Sequence, residues 1–371
     1  MLSFLLSTLA AVSLALPSTP QQADKDVAKG KIGKEIRSWV ENSASTGFRG
    51  AVLAAKDGKV VAAFGVGHAD LEGKVAIDSN TLFEIASITK QFTAAAVMHL
   101  VQDGKVELDE PISTYLPGIP EDCQEITVRH LLQHTSGIPG SNSRGGGVVL
   151  AAVLPSFLKG GPQHKPGTNF EYWNQGYALV SEIVARASGD SYTGYVKKHL
   201  FQPAGMKHSF FTGDEPPAGI DIAIGIGKHG KPRSALEHPY GSYGFQYRGM
   251  GGAVLNVWDF WRWDRALCTN QPLSRESKAV MFETGDSQYG LGWYVVEDTH
   301  GRTMQAHSGS VRGFNCYAYR FPEEDACVIV LSNDDRVYSG QIGLGIREIL
   351  FEDKRTLLTP PDSLESSLAK A

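Results

Sequence analysis

Several signatures that would settle a chemistry at once are missing from this chain of 371 residues. There is no G-x-S-x-G, which excludes a nucleophile elbow of the α/β-hydrolase kind. There is no G-x-x-x-x-G-K-[ST], which excludes a phosphate-cradling P-loop. Cysteine is scarce: Cys123, Cys268, Cys316 and Cys327 are the whole set, and none forms a C-x-x-C pair. Neither a zinc ribbon nor a dithiol redox motif is indicated. Charge of one sign nowhere accumulates: the net charge is −5 and no long basic run occurs, which argues against nucleic acid or an anionic membrane surface as a partner. The N-terminal apolar run from Leu2 to Leu16 falls short of the roughly 20 residues that span a bilayer. It reads as a signal peptide over 1–15, ending on the small-residue stretch Ser13-Leu14-Ala15, though no Lys or Arg precedes it. That reading predicts export to a periplasm or the cell exterior.

What is present belongs to a folded protein. Hydrophobic residues make up 42% and charged residues 20% of the chain. Ile32, Ile36 and Val40 space a helix within 27–44. A β-hairpin follows over 50–67, turning at Asp57-Gly58. An alanine-rich helix runs from about Ile88 to Gly104. The middle, about 105–280, is helical and loop-rich, with helices in "ITVRHLLQHTSG", over 176–189 and over 254–267. Strands return over 289–297, 303–309, 313–321 and 326–333, and a last helix covers about 339–352. Strands at both ends with helices between them predict an α/β (α+β) fold. One antiparallel sheet is built from N- and C-terminal strands and flanked by helices, with a mostly helical region inserted. One domain is expected over 25–352, and the polar, Pro/Ser-rich tail 353–371 reads as disordered. Export permits disulfides, and Cys316 and Cys327 fall on consecutive strands that could bring them together; buried free thiols are the equal alternative.

Three S-x-x-K matches occur, at Ser87/Lys90, Ser156/Lys159 and Ser367/Lys370. The spacing alone means little, because positions three apart share a helix face in any sequence. Ser367/Lys370 lies in the tail and Ser156/Lys159 in a presumed loop. Ser87 stands at a helix start, where the helix potential and free N–H groups favour negative charge on an oxygen. There a serine could serve as a cap or as a nucleophile with Lys90 as its proton partner. Tyr172-Trp173-Asn174 precedes another helix. A tyrosine, with an ordinary pKa of about 10, is a base only where a cation holds the phenolate, and Lys90 is the candidate. Asn174 could hold Lys90 and a substrate amide together. His307-Ser308-Gly309 ends a predicted strand. Gly309 would let a substrate backbone approach, and the N–H of Ser310 could form an oxyanion hole with that of Ser87. A metal reading exists too, since His130 and His134 stand four apart, but H-E-x-x-H needs Glu at 131 and the chain has Leu131.

S-x-x-K, then Y-x-N, then H-x-G on a late strand resembles the serine β-lactamase-like family: class C β-lactamases, D-alanyl-D-alanine carboxypeptidases and esterases of the same fold. Further stretches agree, among them "ITVRHLLQHTSGIP", "LFQPAGMKHSFF" and "GMGGAVLNVWDF", and the likeness runs from about 45 to about 335. It implies that Ser87 is the acyl-accepting nucleophile, Lys90 its activator and Tyr172 the general base. Asn174 would orient the substrate, and Ser87 and Ser310 would supply the oxyanion N–H groups. His307 stands where many β-lactamases carry the lysine of K-T-G. An ordinary histidine gains charge only below about pH 6.5, so carboxylated substrates should bind better near pH 6 than near pH 8. Arg312 could read a carboxylate in place of that lysine, or be a solvated surface residue. Trp173 occupies a position where a small residue is expected. The function expected is a serine hydrolase without a cofactor or metal, cleaving a small-molecule or peptide-like ester or amide. A β-lactamase or acyltransferase on the same site is the alternative, and a non-catalytic penicillin-binding-type sensor is the alternative of another class.

Overall fold

A computed structural model describes residues 24–45, 47–142, 147–228, 231–241 and 243–353. The expected signal peptide, the tail beyond 353 and the pair Ser367/Lys370 lie outside these residues.

Asp57 and Gly58 both have positive φ, 51° and 67°, and turn the hairpin where the Asp-Gly dipeptide predicts it. Its arms are β2 (Gly50–Lys56) and β3 (Lys59–Val66). The first helical stretch begins later than expected. Val27–Ala28 form β1, paired with Ala63 and Ala62 of β3, and α1 covers Gly30–Ala44. At the other end of the chain come β4 (Tyr294–Glu297), β5 (Thr303–Val311), β6 (Phe314–Phe321) and β7 (Ala326–Ser332). They join the N-terminal strands in one sheet of order β1-β3-β2-β7-β6-β5-β4, every pair antiparallel. The junction is β2 against β7, from Cys327↔Ala55 to Ser332↔Gly50. The sheet expected from both termini is therefore the sheet observed.

Both faces of the central strands are covered, so their side chains alternate between two cores. On one face Val52, Ala54, Val328 and Val330 pack with Ile36 and Val40 of α1 and with Ile342 and Ile346 of the final helix, Ser339–Phe351. On the other Ala51, Leu53, Ile329 and Leu331 join the larger core with α2 (Lys90–Gln102). Ten residues of α2, from Lys90 to Met98 and Leu100, are buried, as expected of a helix enclosed on all sides. α3 (Val128–Leu132) is capped by Thr127, whose side chain accepts from the His130 N–H. The inserted region continues with α4 (Leu150–Phe157) and α5 (Asn174–Ser188), the latter packed on α2 and ended by Gly189 at φ 73°. Among the described residues no helix is long and apolar enough to cross a membrane.

The expected approach of Cys316 and Cys327 does not occur. The register pairs Cys316 with Leu331 and Cys327 with Arg320, four steps further along the ladder. That is roughly 13 Å of strand, beyond the reach of a disulfide. All four thiols are free; Cys268 alone is exposed, and burial pushes Cys123 and Cys316 up to about 12. An aromatic disulfide reagent at pH 8 should therefore titrate one thiol in the native protein and four in denaturant. A native count of none, or a denatured count of two, would contradict the register.

Candidate active site

Ser87 sits in a tight 3-10 turn, Ala86–Thr89, between the two-residue strand Phe83–Glu84 and α2. It is not a helix cap: neither Ile85 nor Thr89, which flank the turns, uses a side-chain cap, and α2 begins only at Lys90. Ala86 holds φ 46°, a left-handed conformation uncommon for a residue with a β-carbon. Such strain persists only where the surroundings over-determine it. Here Ile85 N–H donates to Ala253 O at 3.0 Å, and Glu84 is locked below. The Glu84 carboxylate is fully buried and accepts from the Arg233 guanidinium and the Tyr247 hydroxyl. Burial raises its pKa, with Arg233 and Tyr247 pulling the other way. From residue 81 to 98 Ser87 alone is not buried. Ser156 has no such setting. It lies inside α4 rather than in a loop, and its hydroxyl donates to Val153 O at 2.9 Å.

Lys90 is wholly buried, and its Nζ meets three oxygens: Asn174 Oδ1 at 2.8 Å, Ser87 Oγ at 3.0 Å and Met250 O at 3.2 Å. No carboxylate faces it, and burial holds its pKa well below the ordinary 10.5. Nζ also lies over the Tyr172 ring, 4.8 Å from its centroid, and 5.5 Å from that of Tyr177. Lys90 thus addresses the face of Tyr172 rather than its oxygen. The Tyr172 hydroxyl is enclosed, with the Ser87 hydroxyl beside it but no hydrogen bond of ordinary geometry among the described residues. Burial pushes this phenol well above 10, and the nearby Ser87 hydroxyl only partly opposes that rise. Trp173 is buried, its Nε1 donating to Asn142 O at 2.8 Å; it anchors a neighbouring loop and leaves the pocket to Tyr172 and Asn174.

The third stretch forms the wall. β4 pairs with β5 only from Thr303 to Ala306, so among the described residues no strand continues along that edge of β5 beyond Ala306. Asp298 N–H donates to Arg302 O at 2.9 Å, which sets the alternation of the ladder. Even-numbered residues of β5 direct their backbone groups towards β4, and the N–H of exposed Ser310 therefore faces the free edge. Gly309 has a different role from the one expected. A β-carbon there would lie 2.1 Å from Ile85 O and 3.2 Å from Ser87 N, so its missing side chain admits the turn that carries Ser87, not a substrate.

His307 departs from expectation in charge. It is 1% exposed, its Nδ1 is 2.6 Å from Ser308 O, and its Nε2 is 3.1 Å from the Tyr289 hydroxyl. Burial, then the Lys90 charge, lower its pKa to about 3, so it cannot become a cation near pH 6. Arg312 is exposed, with its guanidinium 5.0 Å from the Tyr240 ring centroid. The structure thus joins Ser87, Lys90 and Asn174 directly, sets Tyr172 and His307 beside them, and leaves Arg312 on the surface. Sequence reasoning missed the Met250 carbonyl, Tyr289 and the Glu84–Arg233–Tyr247 lock. A backbone carbonyl leaves no trace in sequence, and Tyr289 in "QYGLGW" reads as a strand residue although β4 starts only at Tyr294. His130 and His134 do not converge as metal ligands would: His130 Nδ1 accepts from the Thr127 N–H and His134 Nδ1 from the Trp173 N–H.

A family model described as beta-lactamase matches residues 36–345. The chain belongs to the beta-lactamase family. Within it, the chain is 30% identical over 339 residues to the putative penicillin-binding protein PbpX of Bacillus subtilis, covering 90% of this chain and 83% of that one. It resembles the octameric penicillin-binding protein homologue from Pyrococcus abyssi at 29% identity and a TM-score of 0.75, over 88% of this chain and 78% of that one. The D-amino acid amidase from Ochrobactrum anthropi SV3 shares the fold, with a TM-score of 0.72 at 23% identity over 87% and 99% of the two chains. The antiparallel sheet with its flanking helices is the fold of these structural neighbours.

Two imidazoles are held neutral in this site. His307 is lowered to about 3, and His134 well below 6.5 by burial, Lys90 and His307. In the unfolded chain both titrate near 6.5. Below that pH the unfolded state takes up protons that the native state refuses, so stability is complete above 6.5 and is lost as pH falls towards 3. The slope is at most about 1.4 kcal/mol per pH unit per group. Urea unfolding between pH 7 and 5, where few carboxylates titrate, should show this loss, and His307→Gln should flatten it. A slope unchanged in His307→Gln would contradict the assignment.

Proposed function

We propose that this chain is an exported serine hydrolase that forms an acyl-enzyme on Ser87 and cleaves an ester or peptide-like amide bond. The observation that carries the reading is the set of three oxygens around Lys90. Asn174 Oδ1 and the Met250 carbonyl can only accept, whereas the Ser87 hydroxyl can also donate. A neutral amine has two N–H groups and one lone pair. With both N–H groups on the two carbonyl oxygens, the lone pair is left for the Ser87 proton. Burial without a carboxylate favours that neutral form.

Attack then proceeds with Ser87 Oγ bonding to the substrate carbonyl carbon while Lys90 takes the serine proton. The oxyanion is received by the N–H groups of Ser87 and Ser310. Tyr172, protonated in the free protein, gives its proton to the leaving group and regains one from the Lys90 ammonium. In deacylation water attacks the acyl carbon, its proton passes to the Tyr172–Lys90 pair, and Ser87 leaves reprotonated. Tyr172 thus enters as an acid in acylation and as a base only afterwards, an order of transfers that follows from its raised pKa. The free edge of β5 suits an extended, amide-bearing substrate, which could add to it as a strand. His307 offers no positive charge, and Arg312 is engaged with Tyr240 on the surface. Neutral esters and amides are therefore favoured over β-lactams and peptides that must present a carboxylate. A penicillin-binding name on a relative of 30% identity supports an acylable serine without fixing the acyl group.

Fluorophosphonate labelling read by intact mass, with a panel of a p-nitrophenyl ester, nitrocefin and a D-Ala-D-Ala peptide, tests this reading. The wild type should carry one adduct and turn over the ester fastest, and Ser87→Ala should do neither. Lys90→Ala and Tyr172→Phe should each lose about 10²–10⁴-fold in acylation. The double variant should lose little more, since the two act as a unit. An adduct on Ser87→Ala would overturn the nucleophile, labelling without turnover would favour a sensor, and additive losses would overturn the coupled proton path.

A further inference from the structure

His134 is placed around Tyr172 more closely than a core histidine needs to be. Its carbonyl accepts from the Glu171 N–H at 2.8 Å, and its Nδ1 accepts from the Trp173 N–H at 3.0 Å. One residue therefore grips the chain on both sides of Tyr172. Its ring also lies against the Tyr172 ring, with centroids 4.1 Å apart and planes at 35°. The backbone is bent to allow this: His134 has φ 58°, a left-handed conformation that Gly, Asn, Asp and His tolerate best.

The chemistry of the ring follows from the same contacts. Because Nδ1 accepts, the proton of the neutral ring is on Nε2. Nε2 is buried and has no hydrogen-bond partner among the described residues. The groups that face the ring are Tyr172, Tyr177, Tyr289 and Phe170, with the titratable groups of Lys90 and His307 beyond. None is a carboxylate, so nothing there favours an imidazolium. The pair His130/His134, which suggested a metal in the sequence, is split between two tasks, one capping α3 and the other holding Tyr172.

We propose that His134 is a positioning residue for Tyr172: as a neutral ring with its proton on Nε2, it fixes the angle at which the Tyr172 hydroxyl meets Ser87 and the leaving group. The inference rests on the reading of Tyr172 as the proton carrier and adds a determinant to it. A histidine suits the place because it combines a left-handed backbone, an acceptor one bond from Cγ and a flat ring. Asparagine reproduces the first two, its Oδ1 standing where Nδ1 stands. Glutamine reproduces neither, since its acceptor reaches the Nε2 position and its backbone resists positive φ.

The test compares His134→Asn, His134→Gln and His134→Ala in wild-type and Tyr172→Phe backgrounds, by acylation rate and KM with a p-nitrophenyl ester, each checked for a cooperative thermal transition. His134→Ala should lose about 100-fold in acylation rate with KM nearly unchanged, the scale of a misplacement near 1 Å. His134→Asn should recover about tenfold of that loss, and His134→Gln should recover none. In Tyr172→Phe, His134→Ala should add less than about threefold. If His134→Ala does not fold, the Asn and Gln variants carry the same comparison. Normal acylation by His134→Ala or His134→Gln, equal rates for Asn and Gln, or an undiminished loss in the Tyr172→Phe background would overturn the inference. Normal acylation by Tyr172→Phe itself would remove the role of Tyr172 and the inference with it, whereas an impaired Tyr172→Phe beside a normal His134→Ala overturns the inference alone.

Discussion

Lys90 is a cation-forming group placed where no anion waits for it. A buried ammonium is normally paired or discharged. Here it meets two carbonyl oxygens, one hydroxyl and the faces of two tyrosines. Much of the surrounding structure reads as what that placement requires. α2 is enclosed on all sides, so its first residue is carried into the core. α5 begins at Asn174, which brings an amide oxygen to Nζ. The segment ending at Met250 delivers a carbonyl from the opposite side, and the buried Glu84–Arg233–Tyr247 group ties that segment to the strand just ahead of Ser87.

The same absence of charge shapes the wall of the site. His307 hydrogen-bonds Tyr289 and lies near Tyr172 and Tyr294, a box in which protonation is disfavoured. A lysine at that position would bring an ammonium towards the Lys90 amine. A neutral imidazole leaves Lys90 as the single titrating amine beside the nucleophile. The close approach of Gly309 to the Ser87 turn adds a geometric tie between β5 and the segment that carries Ser87.

Much of this was legible in the sequence because it is written in local patterns. Asp57-Gly58 marks the hairpin, Gly189 ends α5, and short apolar runs mark the last strands. The catalytic candidates were legible as spaced motifs, because S-x-x-K and Y-x-N each place their side chains from a helix start. What escaped depends on tertiary context. Ser156 matches the motif as well as Ser87 does, and only the fold shows its hydroxyl spent on its own helix. The charge of His307 depends on burial, which a strand pattern does not reveal. Cys316 and Cys327 lie on neighbouring strands, but register sets them apart. The left-handed backbones of Ala86 and His134 have no glycine to announce them.

The central claim is that Lys90 is a neutral amine ready to take the Ser87 proton. Its most direct test is the NMR titration of protein labelled at the lysine side-chain carbon next to the amine, with the Lys90 signal assigned by its loss in Lys90→Met. The account predicts that this one signal titrates well below 10.5 and reaches the shift of an uncharged amine while the surface lysines remain ammonium. A Lys90 signal that stays in its ammonium form up to pH 10 would contradict it.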